Sequence, residues 1–364
     1  MLIRWIGARV AAALATLALL SVAVFVATEV LPGDAVGVVS GPQATEAERA
    51  EVRSRLGLDR PAPVRYLQWL GSAATGDLGT SLVSDREVTD IVRSRLTAGS
   101  AVFIPAAVLL TVLAGGLGIV AGLNPGRWPD RMLSASAVGL IAVPDFLLAA
   151  ALLVVFTTWW RVLPAVAIVP VGESLWAHPE LIVLPVAALA LGGFGPAMRL
   201  LRASVADATE TPYAEFARLN GVRGLRYARI VVGNALGPAT QALAIILAGL
   251  LGGAVVVETL FNLPGLGQEL TQAVASRDVP LVQGLALVLG GVTLTILLAG
   301  DVIARLLGPA GRSWWAHAGW PSRPPGWSTP PPFSVPGSVP GVAPHPSPAP
   351  THRRPRSANS ERTY

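Results

Sequence analysis

Lysine is missing from this chain: all 27 of its basic residues are arginine. A P-loop needs a lysine on the nucleotide phosphates, so the chain carries no such loop of its own. Cysteine is missing too, which removes disulfide scaffolds and cysteine-ligated zinc sites. Histidine is reduced to His178, His317, His345 and His352, the last three in a proline-rich tail. No metal and no other cofactor is expected. Neither G-x-S-x-G nor H-E-x-x-H occurs, and no histidine falls in a long apolar run, which argues against an intramembrane enzyme. Charge itself is scarce. Only 13% of the 364 residues are charged against 52% hydrophobic, and the charges stand between apolar blocks of about twenty residues, the pattern of an integral membrane protein. The net charge of +5 does not point to nucleic acid, because no basic run interleaved with aromatics occurs before the tail.

What is present is apolar sequence in blocks, at roughly 10–30, 99–122, 133–157, 180–198, 236–257 and 281–307. Each is close to the ~20 residues that cross a ~30 Å hydrocarbon core. In lipid such runs are helical, since backbone groups must bond within the segment. The expected fold is all-α with six transmembrane helices. Arg4 and Arg9 ahead of the first block also suit a signal peptide, but the block is longer than a usual signal core and no A-x-A site follows, so a retained span is favoured. Six arginines (Arg199, Arg202, Arg218, Arg223, Arg226, Arg229) crowd into 199–229, whereas the stretches 158–179 and 258–280 hold one each, Arg161 and Arg277. The positive-inside rule then puts both termini and the 199–235 loop in the cytoplasm. Residues 31–98, with eight arginines and nine acids, read as a long solvated extracytoplasmic segment, in which "TEAERAEVRSRLG" forms a short helix. Fourteen prolines between 309 and 364 mark a disordered cytoplasmic tail. It reads as a solvated extension, with a Pro-rich ligand role or contact with anionic membrane lipid through Arg353, Arg354 and Arg356 as alternatives. Trp314, Trp315 and Trp320 suit an interfacial anchor. The expected division is 1–98, first span and outer loop; 99–308, five-helix core; and 309–364, tail.

One polar stretch stands out between apolar blocks, "ETPYAEFARLNGVRG". Thr211 is placed to cap a helix that begins at Pro212, Glu215 falls in its first turn, and Gly221 supplies a left-handed stop. A helix over 211–221 is marginal alone in water and must be held by packing. Tyr213, Phe216 and Leu219 recur every three residues and make an apolar strip. Such a strip docks into a partner's groove, or else lies on the membrane or on the chain's own spans.

Within that stretch "EFARLNG" (Glu215–Gly221) resembles the EAA-x-x-x-G signature of permease subunits of bacterial binding-protein-dependent ABC importers, with Phe216 where the first alanine stands. Downstream, "NALGPAT" (Asn234–Thr240) is similar to the N-A-L-x-P form of dipeptide, oligopeptide and nickel permeases. "EVLPGD", "LGLDRPAPVRYLQWLGSAATGDLGTSL", "LLRASV" and "ETLFNLPGLGQELTQAVASRDVPLVQG" (Glu258–Gly284) follow the same branch in the same order, so the resemblance covers most of residues 1–310. It implies a permease that does no chemistry. Two homologous permease subunits enclose a path for peptides or a related solute, two cytoplasmic ABC ATPases supply ATP hydrolysis, and an extracytoplasmic solute-binding protein delivers the solute. It also implies that Tyr213, Glu215, Phe216, Ala217, Leu219 and Gly221 form the coupling helix, seated in a cleft of one ATPase.

Other residues are candidates on their own chemistry. Asp145, after Pro144 and well inside the third block, either lines a wet path or pairs with an arginine, because an acid in lipid is costly. Glu29 and Asp301, nearer block ends, are expected to reach interfacial water. "PGLG" supplies a sharp outer turn, in which Pro264, Gly265 and Gly267, with Glu258 ahead of them, form an extracytoplasmic loop motif. "AGGLGIVAG" contains G-x-G-x-x-A, but without a preceding strand it reads as close helix packing, as do "LGGFGP" and "AGLLGGA". An ion-coupled secondary transporter is the alternative function; it calls for several midplane charges and inverted repeats, of which only Asp145 is evident.

Overall fold

The computed structural model describes residues 2–30, 40, 44–55, 59–164, 166–167 and 173–308. The proline-rich tail, with its tryptophans and arginines, and most of "EVLPGD" lie outside the described residues. The described elements are α-helical: α1 (Leu2–Val30), α2 (Glu46–Arg55), α3 (Ala62–Ala74), α4 (Val88–Gly122), α5 (Trp128–Ile141), α6 (Asp145–Leu153), α7 (Pro179–Thr209), α8 (Pro212–Leu219), α9 (Gly224–Leu260), α10 (Leu266–Ala275) and α11 (Val279–Leu307). Among the described residues the sole strand-like pairing is an isolated bridge between Thr80 and Glu87.

Five helices, α1, α4, α7, α9 and α11, are long and apolar enough to cross a membrane. The span expected over 133–157 is formed by α5 and α6, which pass the same test only as a pair bent by 94°. Pro144 is the physical reason: it offers no backbone N–H and disfavours helical geometry in the residue before it, so one helix stops and the next starts at Asp145. From Leu153 the chain runs through a π-helical turn, Val154–Trp159. The other spans are longer than their apolar blocks. Helix α4 begins at Val88, not 99, so the division expected at 98 falls inside a helix. Hydropathy marks the lipid-immersed part of a helix, and its hydrogen bonds continue past the first charge.

Helix α7 is the hub, packed against α4, α5, α6 and α9, whereas α1 lies at the edge against α11. Without a hydrophobic drive between helices in lipid, small residues let backbones approach. Gly122 of α4 shows it: a Cβ there would stand 2.6 Å from Val205 Cβ and 2.8 Å from the Arg202 carbonyl. Gly193 and Gly195 are equally pressed, a Cβ on either meeting Leu250 or Ile141 at 2.6 Å. The first two glycine-rich stretches therefore pack helices, although Gly115 and Gly116 face open space; in "AGLLGGA" Gly249 and Gly252 face open space and a Cβ on Gly253 would make only ordinary contacts.

Charged groups join distant elements. The Arg202 fork donates to both Asp130 oxygens at 2.7 Å, and the same carboxylate accepts from the Gly126 N–H at 2.8 Å. Asp301 is paired with Arg9 at 3.1 Å and accepts from Gln241 at 3.1 Å, while Glu29 pairs with Arg65 of α3. Both acids thus have arginine partners, and Glu29 stays exposed as well. Helix α3 rests on α1 through Tyr66, whose ring lies 5.4 Å from Phe25 and whose hydroxyl is 3.0 Å from Ser21 Oγ. Helix α2 begins with a capping box between Thr45 and Glu48.

The corner between α9 and α10 is built on Glu258. Its buried carboxylate accepts from the N–H groups of Gly267 (2.8 Å) and Gln268 (3.0 Å) at the start of α10. The glycines serve close approach. Gly265 has φ −93°, and a Cβ on it would stand 2.0 Å from Glu258 Cδ, while one on Gly267 would meet Val255 at 2.5 Å. The left-handed residue of the turn is Asn262, φ 51°. Asp278 then caps α11 and accepts from Ser81 Oγ at 2.5 Å and Leu82 N–H at 3.1 Å, tying residues 81–82 to this corner. Ahead of α7, His178 lies between Glu173 (Nε2–O 2.5 Å) and Glu180 (Nδ1–O 3.2 Å), which raise its pKa, Glu173 the more.

Three outcomes are expected. Asp130→Ala leaves a charged arginine without its carboxylate; because a third of the Arg202 side chain stays solvated, the loss should be about 2 kcal/mol, below the ~3–5 of a fully buried pair, read as a lower unfolding midpoint in detergent. Gly265→Ala should cost about 1–3 kcal/mol by overpacking against Glu258, with faster proteolysis of the 261–278 segment. The raised pKa of His178 means that its charged contacts are fully present below about pH 6.5 and fade as pH rises through the raised value. Hydrogen exchange at 174–178 should therefore speed up on alkalinisation beyond its intrinsic rise, and His178→Gln should abolish the excess.

Candidate coupling helix and translocation groove

Helix α8 is short because its two ends are fixed by local chemistry. Pro212 opens it at the position where a missing N–H costs nothing. Thr211 stands at the cap position, but its hydroxyl donates to the Ala208 carbonyl at 2.7 Å, so the expected side-chain cap is not formed. At the other end Gly221 adopts φ 75°. Its N–H donates to Arg218 O at 3.0 Å and that of Val222 to Ala217 O at 3.0 Å, the paired bonds of a Schellman stop.

The faces of α8 divide cleanly. Ala214 is fully buried against Val205 and Ala208 of α7 and Val231 and Ala235 of α9, and Ala217 is buried beside it. Ala217, grouped with the coupling residues in the sequence, is buried and so lies off the exposed strip. Tyr213, Phe216 and Leu219 turn outward, 37%, 57% and 80% exposed, and Glu215 is exposed with them. The helix thus turns an alanine face inward and two aromatics and a leucine outward, an exposed apolar strip.

Toward the opposite end of α7 and α9 lies a groove of about 200 Å³ whose one ionisable lining residue is Asp145. Its walls include Gly192, Gly193 and Pro196 of α7 and Ile245, Gly249 and Gly253 of α9. A Cβ on Gly192 would stand 2.8 Å from Asp145 Oδ1, and one on Gly253 3.5 Å from Oδ2, so the glycines make room for the carboxylate. Pro144 supplies the helix break that places Asp145 there and is not itself part of the lining. Glu258, Pro264, Gly265 and Gly267 form the corner between α9 and α10; Glu258 follows the groove residue Val257, and none of the four lines the groove. Among the described residues no cluster of acids and histidines could hold a metal ion.

Sequence reasoning missed the Asp130–Arg202 fork. Arg202 lies in the "LLRASV" stretch, but Asp130 shows in the sequence only as an acid in a helix's first turn, 72 residues from its partner.

Residues 114–313 match the family described as binding-protein-dependent transport system inner membrane component. Residues 2–101 match the N-terminal membrane component of the same systems. The chain is 34% identical over 303 residues to the glutathione transport system permease protein GsiC of Escherichia coli O6:H1, covering 81% of this chain and 94% of that one. The GsiC proteins of Escherichia coli K12 and Shigella dysenteriae serotype 1 match with the same identity and the same coverage. In such systems the membrane component is a transport permease and the ATPase is a separate subunit, which agrees with a chain that lacks lysine altogether. The chain belongs to the binding-protein-dependent transport system inner membrane components: it is a multi-pass permease subunit of an ABC importer in the cytoplasmic membrane.

Proposed function

We propose that this permease forms half of a translocation path together with a second, homologous permease subunit. It takes a peptide or related small solute from an extracytoplasmic binding protein, and it is driven by two cytoplasmic ABC ATPases through α8. The observation that carries the proposal is the division of α8 into a buried alanine face and an exposed Tyr213–Phe216–Leu219 strip. An apolar strip on a loop rich in arginine suits a groove on a protein partner, and Glu215 and Gly221 set the helix's first-turn charge and its stop. Both termini and α8 lie on the cytoplasmic side in this reading, with 31–98 and the α9–α10 corner outside, in keeping with the arginine distribution. The similar permeases are named for glutathione transport, which supports a peptide-type solute. Family membership leaves the ion-coupled alternative without support.

In this mechanism the permease makes no bond. ATPase closure pulls on the strip; because Ala214 seats α8 on α7 and α9, those spans move with it. The groove along their far half, with Asp145 and the break at Pro144, is then the part of the path that this movement reshapes. Solute drives the cycle only by binding the two states differently.

The test is solute-stimulated ATP hydrolysis by the assembled transporter in proteoliposomes. Leu219→Asp, Glu215→Arg and Gly221→Pro, the last incompatible with φ 75°, should each lower the stimulated rate by more than about tenfold, more than 1.4 kcal/mol of coupling. Insertion and assembly with the second permease should persist. Ala214→Leu should instead reduce the amount of folded subunit, since it overfills the seat of α8. Undiminished coupling in all three surface variants would refute the role given to α8, as would an extracytoplasmic location of residue 215 by cysteine labelling.

A further inference from the structure

We infer that Asp145 is a recognition point for a positively charged group of the solute, an ammonium carried on a small apolar skeleton; this rests on the groove being part of the path. Four acids of the bundle have an arginine partner on another helix: Asp130 with Arg202, Asp301 with Arg9, Glu29 with Arg65 and Glu269 with Arg95. Asp145 differs from them. Among the described residues it has neither an ion pair nor a side-chain hydrogen bond, and no arginine lines its groove. An acid placed among apolar helices without a partner is costly unless water or a cation reaches it. The glycines at 192 and 253 keep space around both oxygens, where any larger residue would press on the carboxylate.

The rest of the groove says what kind of cation fits. A divalent metal ion held by protein takes several oxygen ligands, and here a single carboxylate faces glycines and aliphatic side chains. A resident metal is thereby disfavoured. An ammonium group needs one strong acceptor, and the apolar walls suit the carbon skeleton behind it. A wet, low-dielectric groove with one negative charge also enriches small cations over anions before any contact is made.

The chain's lack of cysteine makes the test direct. Gly249 lines the groove one helical turn from Gly253 and has open space where a Cβ would go, so Gly249→Cys gives a single thiol near Asp145. The full-length chain, assembled with its partner subunits in membrane vesicles, is treated with two permanently charged methanethiosulfonates, one bearing a trimethylammonium group and one a sulfonate. Modification of this chain is read by intact mass, and each rate is normalised to that of a free thiol. The trimethylammonium reagent should react at least about tenfold faster than the sulfonate. Adding Asp145→Asn should bring the ratio close to one, and Asp145→Glu should keep it high. A ratio near one in the parent, as a cation from a neighbouring subunit beside Asp145 would produce, or a ratio unchanged by Asp145→Asn, overturns the inference and leaves the water-filled path standing. No reaction with either reagent overturns both the inference and the groove's place in the path.

Discussion

The closeness of α4 to α7 is the constraint on which the rest of this subunit depends. Between apolar helices in lipid, water expulsion gives no attraction, and stability comes from contact. At Gly118 and Gly122 the surface of α4 is bare backbone, and Leu201, Arg202 and Val205 of α7 lie directly against it. Any side chain there would push α7 away and carry Val205 and Ala208 with it. Those two residues, with Val231 and Ala235 of α9, are the seat of Ala214. A pair of glycines in one span thus fixes where a helix some ninety residues later is presented. The Arg202–Asp130 fork lies at the same level and ties α5 into the assembly.

Arginine is the only strong cation the chain has, and it is used where a fork matters. Its planar guanidinium stays charged and meets a carboxylate with two bonds, which suits pairs between helices better than a flexible ammonium does. Arg9, Arg65, Arg95 and Arg202 each tie their own helix to another, with Asp301, Glu29, Glu269 and Asp130 as partners. Arg305 is placed over the Trp5 ring, 4.4 Å from its centre, at the same edge as the Arg9 pair. Each pair restrains the relative sliding of two helices near their ends. At the Gly122 end of α4 the glycine contact and the Arg202–Asp130 pair act together, while Gly193 and Gly195 pack nearer the middle of α7.

Much of this was legible from the residues, for reasons that also explain the failures. Apolar length disclosed the spans because lipid demands it; α8 was bounded within two residues because Pro212 and Gly221 act locally. Pro144 marked a possible kink in the third span, but hydropathy does not register how sharply the interrupted backbone ladder bends it. The side-chain cap at Thr211 failed because a hydroxyl beside the preceding helix has a competing acceptor, the Ala208 carbonyl. The glycines of "PGLG" were right as a corner but for another cause, the buried Glu258 carboxylate beneath Gly265. Long-range pairing was the least legible of all: Asp130 and Arg202, or Ser81 and Asp278, meet through the fold, and neither partner's local sequence names the other.

The same two helices, α7 and α9, carry the seat of α8 at one end and the walls of the Asp145 groove toward the other, and this joint ownership has a mechanical consequence. From Gly192 to Thr209 is about 25 Å along α7 at 1.5 Å per residue. Pro196 lies within that length and leaves one rung of the helix ladder open, so it is packing on both sides that holds the stretch in line. The contacts that would have to give are those of α5 and α6, and between these two the backbone ladder is already interrupted at Pro144. In the mechanism proposed above, a movement started at α8 meets least resistance at the break that positions Asp145. On that proposal the break in the third span and the placement of Asp145 belong together: the path wall yields where the solute's charge would be held.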